Sequence, residues 1–169
     1  RDGAGDGETD FVIIDPMMGI LVLEVKGGTS EVAPGGNWST RGPNGEILPI
    51  KNPFQQGVKS KNAILNQIKA IPGLNTRLMT FGHCAALPDA YVSPGNLGPE
   101  APNEIMLLDR DIDSIDSRIN SIFEFWTHRE QQEISPANVE LIASRIFPHQ
   151  VIAPSLGIDA RSVEDRIIK

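Results

Sequence analysis

The sequence predicts an α/β fold, a mixed central β-sheet flanked by helices, and three observations carry that expectation. Two short β-branched-rich runs, residues 10–15 (DFVIID) and 20–26 (ILVLEVK), are joined by Pro16, Met17, Met18 and Gly19, the composition of a hairpin. A helical stretch follows from Pro53 to about Ala70, with apolar residues at Val58, Ala63, Ile64, Ile68 and Ile71. Residues 76–87 and 104–108 are two further apolar runs, each with enough for a strand.

In chain order, Gly3, Gly5 and Gly7 form a flexible lead-in; they neither follow a strand nor open a helix, so a phosphate-binding loop is not expected. Both hairpin runs are apolar on both faces, the pattern of central strands in a sheet covered on two sides. Residues 27–51 are rich in Gly, Pro, Ser, Thr and Asn, with Trp38 and the Ile47–Ile50 stretch as short strands of a meander. Asn52 caps the following helix, Pro53 suits its first turn, and Pro72 with Gly73 stops it. Four prolines and two glycines make residues 88–103 a surface loop. Asp109 begins a charged turn into a helix over Ser114–Thr127, where Ile115, Ile119, Ile122, Phe123 and Trp126 recur at helical spacing. Ser135 or Asn138 caps a last helix that runs through Ile146. Residues 149–169 read as a tail or linker. The expected division is one domain over 1–130 and a helical extension and linker over 131–169.

A length of 169 residues suits one domain. With 40% hydrophobic and 22% charged residues the chain falls among soluble globular proteins. No apolar run approaches the roughly 18 residues that a bilayer span needs, so the default location is cytoplasmic, with no membrane partner. The single cysteine, Cys84, cannot form an internal disulfide. Its neighbour His83 would point to the opposite face of a strand, which makes Cys84 a packing residue and not a nucleophile. A net charge of −7 and a pI near 4.9 argue against a broad basic surface. Any nucleic-acid role must be local, resting on a bound metal, a small Lys/Arg cluster or another domain of a longer protein.

The hairpin brings the chemistry together. If its turn uses Pro16, Met17 and Met18, residues whose numbers sum to about 34 lie opposite one another. Asp10 then faces Glu24, and Lys26 shares Glu24's side of the sheet. Two carboxylates and one ammonium on an otherwise apolar sheet are costly without a ligand, and a divalent cation is the natural missing charge. With no histidine or cysteine near in sequence, an oxygen-only donor set favours Mg²⁺ or Mn²⁺ over zinc. Such an ion polarises a phosphodiester oxygen and acidifies bound water, while Lys26 positions that water or stabilises transition-state charge.

Glu8-Thr9-Asp10-Phe11-Val12-Ile13-Ile14 after Gly7, then Val22-Leu23-Glu24-Val25-Lys26-Gly27-Gly28, then Trp38, then Asn52-Pro53-Phe54-Gln55-Gln56 together resemble the nuclease-related domain family (NERD), a branch of the PD-(D/E)xK nuclease superfamily. The likeness spans about residues 7–110. It implies a restriction-endonuclease-like fold over 1–130, whose usual first helix would precede Arg1. By position it makes Asp10 and Glu24 metal ligands and Lys26 the catalytic lysine. Glu8 matches an acidic residue before the family's aspartate, Gln56 matches a glutamine on the helix, and Val25 would offer its backbone carbonyl to the metal. An isolated E-x-K is worth almost nothing, but joined to the opposed aspartate, the apolar strands, the Gly-Gly exit and the Asn-Pro-x-x-Gln run it is far stronger. The implied function is metal-dependent hydrolysis of DNA phosphodiesters within a larger DNA-processing protein, such as one with a fused or associated helicase. The rival is a non-catalytic nucleic-acid-binding or docking module that keeps the fold.

Blander readings stand beside these. Glu24 and Lys26 could be a solvated pair on an edge strand, and Gln55 and Gln56 plain surface residues. Asp109, Asp111 and Asp113 alternate like the opening of a calcium loop, but Ser114 and Asn120 replace the needed glycine and glutamate, which favours helix capping. His83, His128 and His149 lack ligand spacing. Trp38 and Trp126 suit packing better than base stacking. Lys51, Lys59, Lys61 and Lys69, with Arg41 nearby, are either a phosphate-tracking patch or an ordinary solvated helix face.

Overall fold

The computed structural model describes residues 9–33, 36–42, 44–90, 97–128 and 131–147. The glycine lead-in, Glu8, His149 and the expected tail over 149–169 lie outside them.

Strands β1 (Phe11–Asp15) and β2 (Gly19–Val25) form the predicted hairpin, antiparallel with Phe11 opposite Leu23 and Asp15 opposite Gly19. The turn is fixed by Asp15, whose Oδ1 accepts from the backbone N–H groups of Met17 and Met18, each at 2.8 Å. Gly19 adopts φ +111°, and a Cβ there would stand 2.4 Å from the carbonyl oxygen of Thr80. That close approach lets Ile20 N–H donate to the same oxygen at 2.9 Å, joining the hairpin to the next strand in space.

The meander follows as β3 (Ser30–Val32), β4 (Trp38–Arg41) and β5 (Ile47–Pro49), a separate antiparallel sheet. Trp38 is buried and tilts against Phe54, ring centroids 5.8 Å apart, which packs this sheet on the start of the first helix. Helix α1 (Pro53–Lys69) begins where expected: Asn52 Oδ1 accepts from the N–H groups of Phe54 and Gln55. It buries Phe54, Ile64 and Ile68 but leaves Val58 exposed, so Val58 is not on the core stripe. The chain then returns as β6 (Phe81–Leu87), parallel to β2, and β7 (Met106–Leu108), parallel to β6. Helices α2 (Ile115–Trp126) and α3 (Pro136–Ile146) complete the domain, with Ser135 as the cap of α3.

The main sheet has the order β1-β2-β6-β7 and is mixed, as the sequence predicts. Strand alternation divides the apolar residues of β2 between two layers. Ile20 and Val22 join Ile64 and Ile68 of α1 and Ile142 of α3 in one cluster; Leu21 and Leu23 join Ile122 and Phe123 of α2 in the other. Helix α3 is thus part of the packed body. One expectation needs correcting: β2 is central, but β1 is an edge strand of the described sheet, and Phe11 is 58% exposed. Apolar residues on both faces report the layers above and below a strand and say nothing about a neighbour beside it.

β7 pairs with β6 only from Ala85 onward, which leaves the first half of that edge of β6 without a strand. Trp126 fills the gap, its Nε1–H donating to the carbonyl of His83 at 2.9 Å. The indole lies so close that a Cβ at Gly82 would meet its Cδ1 at 2.4 Å.

Candidate active site

Glu24 lies on the face that Val12, Ile14, Ile20 and Val22 turn toward α1, and Asp10 directly precedes Phe11, the first paired residue of β1, at the same end of the hairpin. Glu24 is the last enclosed residue of β2, only 3% exposed. Lys26, two residues on and therefore on the same face, places Nζ 3.3 Å from Glu24 Oε1. Its own backbone is fixed by an N–H donated to Ala86 O at 2.9 Å. Glu24 and Lys26 are therefore a sheltered pair beside a central strand, and the solvated-edge reading does not hold for Glu24.

Asp10 is exposed at the end of the ladder, and its Oδ2 accepts from Val25 N–H at 2.7 Å. That bond ties the Asp10 carboxylate to the segment between Glu24 and Lys26. Gln56 lies in the first turns of α1, half-buried, with Oε1 enclosed and without a hydrogen-bond partner among the described residues. One turn later Ser60 lines a cavity of about 260 Å³ with Thr9, Ala63 and Gln67. Glu8 lies outside the described residues. Among the described residues, no three His, Cys, Asp or Glu side chains cluster as a metal cage.

Two hard carboxylates at one end of the hairpin, Glu24 nearly enclosed and Asp10 exposed, are donors of the kind that suits Mg²⁺ or Mn²⁺. Magnesium is commonly held by one or two carboxylates and keeps several waters, so an all-protein cage is not needed. The donor set does not suit zinc, because His83 is two residues further from this end of the sheet and engaged elsewhere. An apolar groove of about 710 Å³ is lined in part by Phe11, Ile13, Leu23 and Val25. Those residues belong to the α2 side of the sheet, away from Glu24, so volume alone does not mark the site.

Sequence reasoning missed one positioning contact. Asp89, just beyond β6, accepts from Gly28 N–H at 2.5 Å and holds the Gly27-Gly28 turn that leaves Lys26. Gly28 has φ +77°, so the Gly-Gly exit did announce a tight turn. Its partner, 61 residues away, left no local signal.

The family model of the nuclease-related domain matches residues 1–82. Over that stretch the chain is similar to a nuclease-related domain. The match takes in Asp10, Glu24, Lys26 and Gln56 and ends at the start of β6, short of the 7–110 span of the resemblance. No curated protein and no solved structure matches the chain. The α/β architecture with a mixed sheet is consistent with a nuclease-like fold, and no helix among the described residues is long and apolar enough to cross a membrane.

Cys84, His83 and Asp111 have structural surroundings. Burial pushes the Cys84 thiol up to about 12, only partly offset by Arg118, so Cys84 is no thiolate nucleophile. Burial, and secondarily the Lys61 charge, push His83 down to about 4. Asp111 Oδ2 accepts from Leu108 N–H at 2.9 Å, the role of a turn cap and not of a calcium ligand.

Proposed function

We propose that this chain is a divalent-metal-dependent nuclease that hydrolyses DNA phosphodiesters. The observation that carries the proposal is the Glu24–Lys26 pair at 3.3 Å, with Asp10 tied to the intervening Val25. Asp10 and Glu24 would hold Mg²⁺ or Mn²⁺, with Glu8 and the Val25 carbonyl as further oxygen donors. When bound, that ion supplies Lewis-acid polarisation of the phosphate and acidification of water. Lys26 places a positive charge beside the scissile group, where it orients the attacking water and offsets charge that builds in the transition state. Gln56, whose Oε1 is enclosed and lacks a hydrogen-bond partner among the described residues, would accept a hydrogen bond from that water.

The net charge of −7 gives the chain little general attraction for DNA. Affinity would come from the metal, from local cations and from a fused or associated helicase in a cytoplasmic DNA-processing protein. The test is cleavage of plasmid and single-stranded DNA in Mg²⁺, Mn²⁺ or Ca²⁺ by the native protein and by Asp10→Ala and Lys26→Ala. Metal-dependent cleavage lost in both variants supports the nuclease. Absence of cleavage by the native protein in every metal supports the non-catalytic docking module instead.

A further inference from the structure

At the far end of the α1 face, away from Glu24, lies a cavity of about 340 Å³ whose lining includes Lys69, Arg77 and His128 but no aspartate or glutamate. In a chain of net charge −7 that is a local reversal of sign. Among the described residues no carboxylate pairs with Lys69 or Arg77. Leu65, Phe81 and Trp126 give part of the wall an apolar and aromatic surface, beside the polar side chains of Thr76, Thr80 and Gln131. Cations beside an aromatic wall, in a volume suited to a small ligand group, are what a nucleotide requires: charge for its phosphate and an apolar surface for its base.

The cavity also lies on a line with the candidate active site. Lys61, Leu65 and Lys69 recur every four residues, one stripe of α1. Lys61 Nζ sits 4.9 Å from the centroid of the Trp126 ring, a cation–π contact that leads the positive charge along the helix toward the cavity. Because β2 and β6 are parallel and joined through α1, the helix runs back from the Glu24 end of the sheet to the start of β6. Phe81, at the cavity, is opposite Ile20, and Ala85 is opposite Glu24. The two places are thus roughly 13 Å apart along the strands at about 3.3 Å per residue, a few nucleotides of a single strand.

We infer that the cavity bounded by Lys69, Arg77 and Trp126 is a docking site for one nucleotide of a single nucleic-acid strand whose scissile phosphate lies at Glu24 and Lys26. Lys69 and Arg77 take the phosphate, and the base packs against Phe81, Leu65 and the indole. The inference rests on the proposed nuclease reading for the position of the scissile bond, but strand binding itself needs no metal.

The experiment is binding of a labelled single-stranded DNA of about twelve nucleotides, a length typical of such sites, to the full chain in EDTA. It is followed by anisotropy and by tryptophan fluorescence, with cleavage assayed separately. The expected result is binding that quenches the native fluorescence, a quench that Trp126→Phe removes while Trp38 remains. Lys69→Ala/Arg77→Ala should weaken binding at least tenfold and flatten the salt dependence by about 0.7 in log–log slope, the loss of one phosphate contact on a single strand. Lys69→Glu, at an exposed position, gives the same direction if the double variant does not fold. The inference is overturned if the native protein does not bind the strand at low salt, if the variants bind with native affinity and slope, or if inorganic phosphate competes at the strand's own concentration. Binding that is intact in Lys26→Ala, together with no cleavage by any form, keeps the docking site and rejects the nuclease.

Discussion

Nζ of Lys26 stands 3.3 Å from Oε1 of Glu24, the carboxylate nearly enclosed and the ammonium partly open to solvent. Removing the ammonium takes the Lys26 cation from a sheltered negative charge, which is costlier than removing both charges. Lys26→Ala should lower the melting temperature, and adding Glu24→Gln should restore much of it, because a neutral amide no longer needs the cation. Cleavage should fall by about 10²–10³ in Lys26→Ala, the scale for loss of one transition-state charge stabiliser, and should not return with Glu24→Gln. Thermal melts and initial rates on the same preparations check both halves; an unchanged melting temperature in Lys26→Ala would show the pair to be incidental.

Gly19 ties the hairpin to β6 by approaching Thr80, with φ +111° and no room for a Cβ. Gly19→Ala should therefore destabilise by roughly 2 kcal/mol or more, the sum of a strained backbone and an overpacked contact. Urea unfolding measures it, and a loss under about 0.5 kcal/mol, the scatter of ordinary surface changes, would contradict the packing described.

His83 supplies a pH dependence of known sign. It is buried, its Nδ1 has no hydrogen-bond partner among the described residues, and its ring packs 4.8 Å from Trp126. Burial, then Lys61, holds its folded pKa near 4 against 6.5 when unfolded, so between these values the unfolded chain binds more protons. Stability from this group is complete above about pH 6.5 and is lost as pH falls toward 4. His83→Phe should flatten that part of the stability curve measured by urea unfolding at pH 4 to 7; an unaltered acid limb would assign the effect to other groups.

Much of the fold was legible because local rules agree here. The Asx turn at Asp15 and the glycine at 19 set the hairpin register, and Asn52-Pro53 set the start of α1. Strand alternation brings Glu24 and Lys26 to one face, and the register sets Asp10 at the same end of the hairpin, tied to Val25. What could not be read were relations between distant segments. The edge position of β1 depends on what lies beside it, and pairing order leaves no mark in strand composition. The Asp89–Gly28 contact and the Trp126–His83 bond join segments far apart in sequence, each through one side chain of ordinary type. The lysines of α1 fit a solvated face or a phosphate-tracking patch, and that Lys69 lines one cavity with Arg77 and His128 is again a relation between distant segments.

The central claim is capture of a divalent ion by Asp10 and Glu24, and calorimetric titration with Mn²⁺ tests it most directly. The native protein should bind the ion and gain stability in its presence, about 2.7 kcal/mol at a hundredfold excess over Kd, while Asp10→Asn and Glu24→Gln, folded by circular dichroism, bind far more weakly and gain little. Equal binding by the native protein and both variants would mean that the two carboxylates are not the ligands.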